Sequence, residues 1–89
     1  MEKTLFKVTD ICRSGRIEHT FIQELHQNGL IEIIIQEEQE FIEEEQIPQI
    51  ERFSNWHYEL ELNVQGIEVV QHLIDRIEKL QEEIKVLNR

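Results

Sequence analysis

Eighty-nine residues suffice for one domain and not for two, and a chain this short builds only a small core. It has no apolar run of eighteen residues, so nothing in it is read as spanning a membrane, and the single Cys12 excludes an internal disulfide framework. The formal net charge of −10 is concentrated: residues 17–51 hold ten Glu and no Lys or Arg, residues 1–16 carry +2 and residues 52–89 carry −2, a distribution that opposes any surface built for nucleic-acid phosphates.

Taken along the chain, Thr9 or Asp10 is placed to cap a short helix over residues 10–14, with Ile11 and Cys12 facing inward. Gly15 reads as its stop, within a tight turn Ser14-Gly15-Arg16. A second helix is expected over residues 18–28, where Phe21, Ile22 and Leu25 recur at helical spacing. Asn28-Gly29 ends it, with Gly29 left-handed and Leu30 folding back. Two short helices joined by a tight turn have a helix-turn-helix shape. Residues 31–35 and 40–43 are β-rich and flank Gln36-Glu37-Glu38-Gln39, so they read as a hairpin with a polar, glycine-free tip. Pro48 suits the first turn of a third helix, whose stripe would run Ile47, Ile50, Phe53, Trp56 or His57, and Leu60. Phe53, Trp56 and Tyr58 cannot share one helix face. Trp56 is expected to cover the hairpin from outside, leaving an exposed aromatic elsewhere.

Asn63 is a good N-cap for a fourth helix. Val70, Leu73, Ile77, Leu80, Ile84 and Leu87 then alternate at spacings of three and four, a heptad seam that is β-branched at a and Leu at d. Ile67 and Ile74 widen the stripe, so residues 67–77 can pack on the chain's own domain. Leu80, Ile84 and Leu87 project beyond it. Six such side chains represent on the order of 10 kcal/mol if buried, and an isolated helix of this length is marginal. The seam is therefore expected to pair with a second copy and make a homodimer.

His19, His26, His57 and His72 are the residues from which a metal or catalytic centre would have to be built. His19 and His26 lie two helical turns apart, about 10 Å of rise, too far to share an ion unaided. No phosphate-cradling loop or nucleophile–base spacing is present, and Cys12 reads as a small core residue. The expectation is a protein that is no enzyme and has no cofactor, metal or small-molecule substrate. The first ten residues lack the apolar run of a signal peptide, which points to a cytoplasmic location.

Four stretches of sequence, two of them overlapping, resemble known families. Residues 17–30, Ile-Glu-His-Thr-Phe-Ile-Gln-Glu-Leu-His-Gln-Asn-Gly-Leu, resemble the second helix of the MerR superfamily. Thr9-Asp10-Ile11-Cys12, Gln23-Glu24-Leu25 through Gly29-Leu30, and Tyr58-Glu59-Leu60-Glu61-Leu62-Asn63-Val64-Gln65-Gly66-Ile67 leading into Leu73-Ile74-Asp75-Arg76-Ile77-Glu78-Lys79-Leu80 resemble, within it, the CbpM chaperone-modulator family. The resemblance implies a mainly α fold with a small β-hairpin: a MerR-like winged helix-turn-helix over residues 1–66, then a long C-terminal helix with the heptad pattern over residues 67–89. It also implies a regulator that binds and inhibits a J-domain co-chaperone of the CbpA type. DNA-binding members carry Arg and Tyr in the second helix and Arg near the wing; this chain has Gln23, Glu24 and Leu25, and only acids in the wing.

Two functional expectations follow. In the first, an acidic surface of Gln23, Glu24, Glu37, Glu38, Glu40, Glu43, Glu44 and Glu45 holds a basic partner, with charge-steered association that weakens in salt. In the second, the chain is a MerR-like DNA-binding transcriptional regulator. Non-specific DNA affinity of roughly 5.5–8 kcal/mol comes from bases on phosphates, and each carboxylate near a phosphate opposes it by up to about 1 kcal/mol, so the first reading ranks higher.

Overall fold

The computed structural model describes residues 3–88, so Met1, Glu2 and Arg89, at the ends of the two expected regions, lie outside the described residues. Strand β1 (Leu5–Lys7) runs straight into helix α1 (Val8–Gly15), followed by α2 (His19–Gln27). Strands β2 (Ile34–Gln36) and β3 (Gln39–Glu43) form the hairpin, or wing. A 3-10 turn (Glu44–Gln46) leads into α3 (Ile47–Tyr58), and α4 (Val64–Leu87) ends the chain. The fold is mainly α with a small antiparallel sheet in the order β1-β3-β2.

Strand β1 was not anticipated. Its three residues pair with the second edge of β3, Phe6 opposite Ile42, so their conformation is set by a partner some forty positions away. Helix α1 begins earlier than expected. Lys7, not Thr9 or Asp10, is the N-cap, and it makes no side-chain cap bond. Asp10 instead sits in the first turn, where its charge complements the helix dipole. At the other end Arg16, not Gly15, takes the left-handed position, with φ of 54°. Gly15 is small for another reason: a Cβ there would stand 3.0 Å from Cδ1 of Ile17, which is buried in the core.

Helix α2 ends as expected. Gly29 is left-handed (φ 73°), its N–H donates to the carbonyl of His26, and the Leu30 N–H donates to that of Leu25. The chain does not become a strand at once. Gln46 donates from Nε2 to the Glu32 carbonyl (2.9 Å) and accepts from the Glu32 N–H (2.8 Å), so the backbone polar groups of Glu32 are satisfied by a side chain. This is why residues 31–33 stay out of the sheet, and β2 is shorter than its β-branched sequence suggests. The tip is a two-residue turn in which Glu37 and Glu38 both have positive φ, 50° and 64°. That is the hairpin conformation usually given to Asn-Gly, and for residues with a Cβ it costs roughly 1–2 kcal/mol each.

Ile50 and Phe53 of α3 are buried beside Ile22 and Leu25 of α2, Ile42 of β3, and Val64 and Ile67 of α4. The helix ends at Tyr58, and Leu60 is not part of its stripe but 64% exposed. The chain is recaptured at Leu62. Its N–H donates to the Trp56 carbonyl (3.1 Å) and its carbonyl accepts from His57 Nδ1 (2.7 Å), while Glu61 turns left-handed (φ 58°) between them. Trp56 packs half-buried against the core, beside Phe53 (5.9 Å) and with the Arg52 guanidinium 5.4 Å from its ring. Of the α3 aromatics the exposed one is Tyr58, whose hydroxyl accepts from the Glu18 N–H (3.0 Å) and ties the end of α3 to the start of α2.

Asn63 caps α4 as expected, its Oδ1 accepting from the Gly66 N–H at 2.7 Å. Asn63→Ala is expected to cost about 1 kcal/mol, read as a lower midpoint in urea with an unchanged slope. The domain contact of α4 ends sooner than its pattern suggests. Val64, Ile67 and Gln71 are buried and Ile74 half-buried, whereas Leu73 and Ile77 are open to solvent.

Candidate functional site: an acidic helix and wing

The residues expected to bind a partner lie on α2, on the wing and in the 3-10 turn after it. α2 contains no Lys or Arg; Glu24 is exposed and Gln23 half-buried. Along β3 the side chains alternate, so Glu40 shares the face of buried Ile42 while Glu43 shares that of Phe41. The acidic run is thereby split into parts with different surroundings.

Glu40 meets His19 at the start of α2, with Nε2 to Oε1 at 2.7 Å, and joins the wing to the helix. Glu43 bonds Lys3 at 3.1 Å, and Glu45 lies 3.6 Å from the same ammonium. A hydrogen bond from Glu45 and the Lys3 ammonium hold the Glu43 carboxyl below its ordinary range, and Lys3 is raised by its bond to Glu43 and the two carboxylate charges. By sign, the Glu43 contribution is present above its unfolded titration and lost as pH falls through the depressed folded value. The Lys3 contribution is present below its unfolded titration and lost as pH rises through the raised one. The pairing that holds β1 to β3 thus spans the neutral range. Lys3 is exposed and Glu43 half-buried, so salt reaches the pair from the Lys3 side and weakens it.

Glu24, Glu37, Glu38 and Glu44 pair with no base among the described residues. Glu37 and Glu38 stand at the wing tip, and Glu44 begins the 3-10 turn, with its N–H bonded to the Thr4 carbonyl (3.0 Å). Between the wing and the starts of α1 and α2 runs an open cleft of about 440 Å³, lined by Lys7, Val8, Thr9, His19, Glu38, Gln39 and Glu40. Lys3 and His19 are the partners that sequence reasoning missed. Each is some twenty to forty positions from its carboxylate, and no local pattern signals such a pair.

The histidines have individual roles. His57 stacks on Phe21 at 4.3 Å and donates from Nδ1 to Leu62, and His26 Nδ1 lies 3.3 Å from the Ile31 carbonyl. Cys12 packs half-buried against the core. Burial and the nearby Glu40 charge push its thiol above its ordinary range, which keeps it protonated and weakly nucleophilic.

The seam on α4 is a second candidate surface. Val70 is half-buried, and Leu73, Ile77, Leu80, Ile84 and Leu87 are between 49 and 81% exposed along one face. None of the helices is long and apolar enough, among the described residues, to cross a membrane.

Comparison with known proteins gives one match. A family model described as MerR HTH family regulatory protein covers residues 6–89. No curated protein and no solved structure matches the chain.

Proposed function

The chain belongs to the MerR HTH family of regulatory proteins, and from that premise we propose that it regulates by holding another protein, as a chaperone modulator of the CbpM type, and not by reading DNA or by catalysis. The observation that carries this reading is the surface of α2 and the wing, where every Asp, Glu, Lys or Arg is an acid. A helix-turn-helix that reads DNA needs bases there for phosphate. An acidic face suits a basic protein surface, and the resemblance to CbpM supplies the candidate: the J-domain of a CbpA-type co-chaperone, which binding would inhibit. The unpaired Glu24, Glu37, Glu38 and Glu44 are the stronger contacts, and Glu40, Glu43 and Glu45, already engaged with His19 and Lys3, the weaker ones.

The experiment exploits the strained tip. Glu37→Asn with Glu38→Gly removes two charges and installs the residues that this turn prefers. The variant should be more stable than the parent by about 1–2 kcal/mol. It should also bind a purified CbpA-type J-domain at least tenfold more weakly, by calorimetry at low salt. Unchanged affinity in the stabilised variant would remove the wing tip from the interface.

DNA binding is the second reading, favoured by the fold and by exposed Lys7, Arg13 and Arg16 at and after the ends of α1. A gel shift at low salt separates the two, since sequence-specific retention of DNA would reverse the order.

The α4 seam belongs to the same proposal as the contact of a homodimer. Antiparallel pairing with Val70 opposite Leu87 of the second copy stacks all six seam residues in layers and sets Arg76 against Glu83 at both flanks. Parallel pairing sets Arg76 against Gln81 and crowds two acidic domains at one end, so the antiparallel arrangement is the better electrostatic fit.

A further inference from the structure

Along the inner stripe of α4 the positions that meet the domain are Val64, Ile67, Gln71 and Ile74. Three are aliphatic, and Gln71, buried at the third, breaks the pattern. Its partners explain it. Arg52 of α3 donates from a terminal guanidinium nitrogen to Gln71 Oε1 at 2.7 Å, and Gln71 Nε2 donates to Asp75 Oδ1 at 2.7 Å. Asp75, one turn further along α4, thereby fixes which way round the Gln71 amide sits. Arg52 is itself held between this bond and the faces of Trp56 (5.4 Å) and Phe53 (6.0 Å).

Stability alone does not account for this chain of contacts. Arg52 Nε is buried with no hydrogen-bond partner, and a buried donor left unpaired is a net cost. An apolar pair of similar size would be neutral or better. Direction does account for it. Val64 and Ile67 hold α4 to the domain by apolar burial, which is not directional, and they sit at its first turns. From residue 75 onward every described side chain of α4 is exposed, so the distal half of the helix touches nothing that would set its angle. Beyond the Arg52–Gln71 bond only half-buried Ile74 still meets the domain before that half begins, and hydrogen bonds prefer a narrow range of angles.

We infer that Arg52, Gln71 and Asp75 form a positioning device that fixes the direction in which the distal half of α4 leaves the domain. Small errors there are amplified along the helix, which rises about 1.5 Å per residue. The inference concerns contacts within one protomer and does not depend on which partner the acidic surface holds.

The test is a spin-label distance in the full chain. Nitroxides placed by Asn55→Cys on α3 and Glu82→Cys on distal α4, in a Cys12→Ser background, are read with labelled protein diluted in a large excess of unlabelled protein, so that only the distance within a chain is seen. Arg52→Leu with Gln71→Leu should keep or raise the melting temperature and broaden the distance distribution. Gln71→Glu with Asp75→Asn, which keeps an acceptor for Arg52 and restores a donor–acceptor pair between positions 71 and 75, should leave it narrow. Asp75→Ala, at an exposed position, should broaden it without endangering folding, and serves if the double variant does not fold. A distribution of unchanged width in Asp75→Ala or in the folded double variant overturns the inference, as does a lower melting temperature with the width unchanged.

Discussion

Ile77→Asp with Leu80→Asp is expected to convert a dimer into a monomer at micromolar concentration by analytical ultracentrifugation. These two side chains are 53 and 49% exposed in the isolated chain and occupy the centre of the seam. Each large aliphatic group contributes about 1.5–3 kcal/mol when fully buried, and a symmetric dimer buries every seam residue twice, so two central charges per chain remove most of the association energy. The distal half of α4 has no other support. Being too short to be stable alone, it should fray, and far-UV circular dichroism should lose helix while the domain's own melting is retained. The orientation has its own check. Arg76→Glu should weaken the dimer, and adding Glu83→Arg should restore it, because the two positions face each other only in antiparallel pairing. A parent protein that sediments as a monomer at this concentration would end the dimer proposal.

Phe53→Ala is expected to be the most damaging single change within the domain. Phe53 is fully buried, with Trp56 beside it and the Arg52 guanidinium 6.0 Å from its ring. Deleting a buried phenyl ring costs about 3–5 kcal/mol, through lost transfer energy and the cavity left behind. A domain of this length has about 4–13 kcal/mol in total, so the variant should be close to half unfolded at the low end of that range. Where it still folds, its melting temperature should fall on the order of 15–30 °C. Leu60→Ala, at a 64% exposed position outside the seam, is the matched control and should leave the domain transition unmoved. A loss below about 1 kcal/mol for Phe53→Ala would mean that the core is not centred on α3.

The features legible in the sequence are those whose cause is local. The Gly29 helix end and the Asn63 cap each depend on residues within one or two turns and have the expected form, and the single helix that carries the seam spacing is present, though its contact with the domain does not include Leu73 and Ile77. The wing was legible from its two β-rich runs, but its tip was not, because Glu37-Glu38 is a poor sequence for the turn it makes. What escaped depends on distant partners. β1 exists because β3 offers it an edge, the chain around Glu32 is not strand because Gln46 takes that residue's backbone polar groups, and Trp56 faces Arg52 because Arg52 reaches α4. The acidic surface was legible as charge and not as geometry: composition located ten carboxylates, and only the fold separates those already engaged from those left open.

The bond of Gln46 to the backbone of Glu32 has a consequence for how such a protein can diversify. It ties the two feet of the wing together at a point beyond the sheet pairing, on the domain side. Everything between those feet is a closed loop, and its length does not alter the spacing of α2 and α3. The tip beyond the β2–β3 pairing, Glu37-Glu38, is thus the exchangeable part: tips of other sizes and charges can be grafted there, and the specificity of the surface can drift, while β3 keeps its edge for β1 and Ile42 keeps its place in the core.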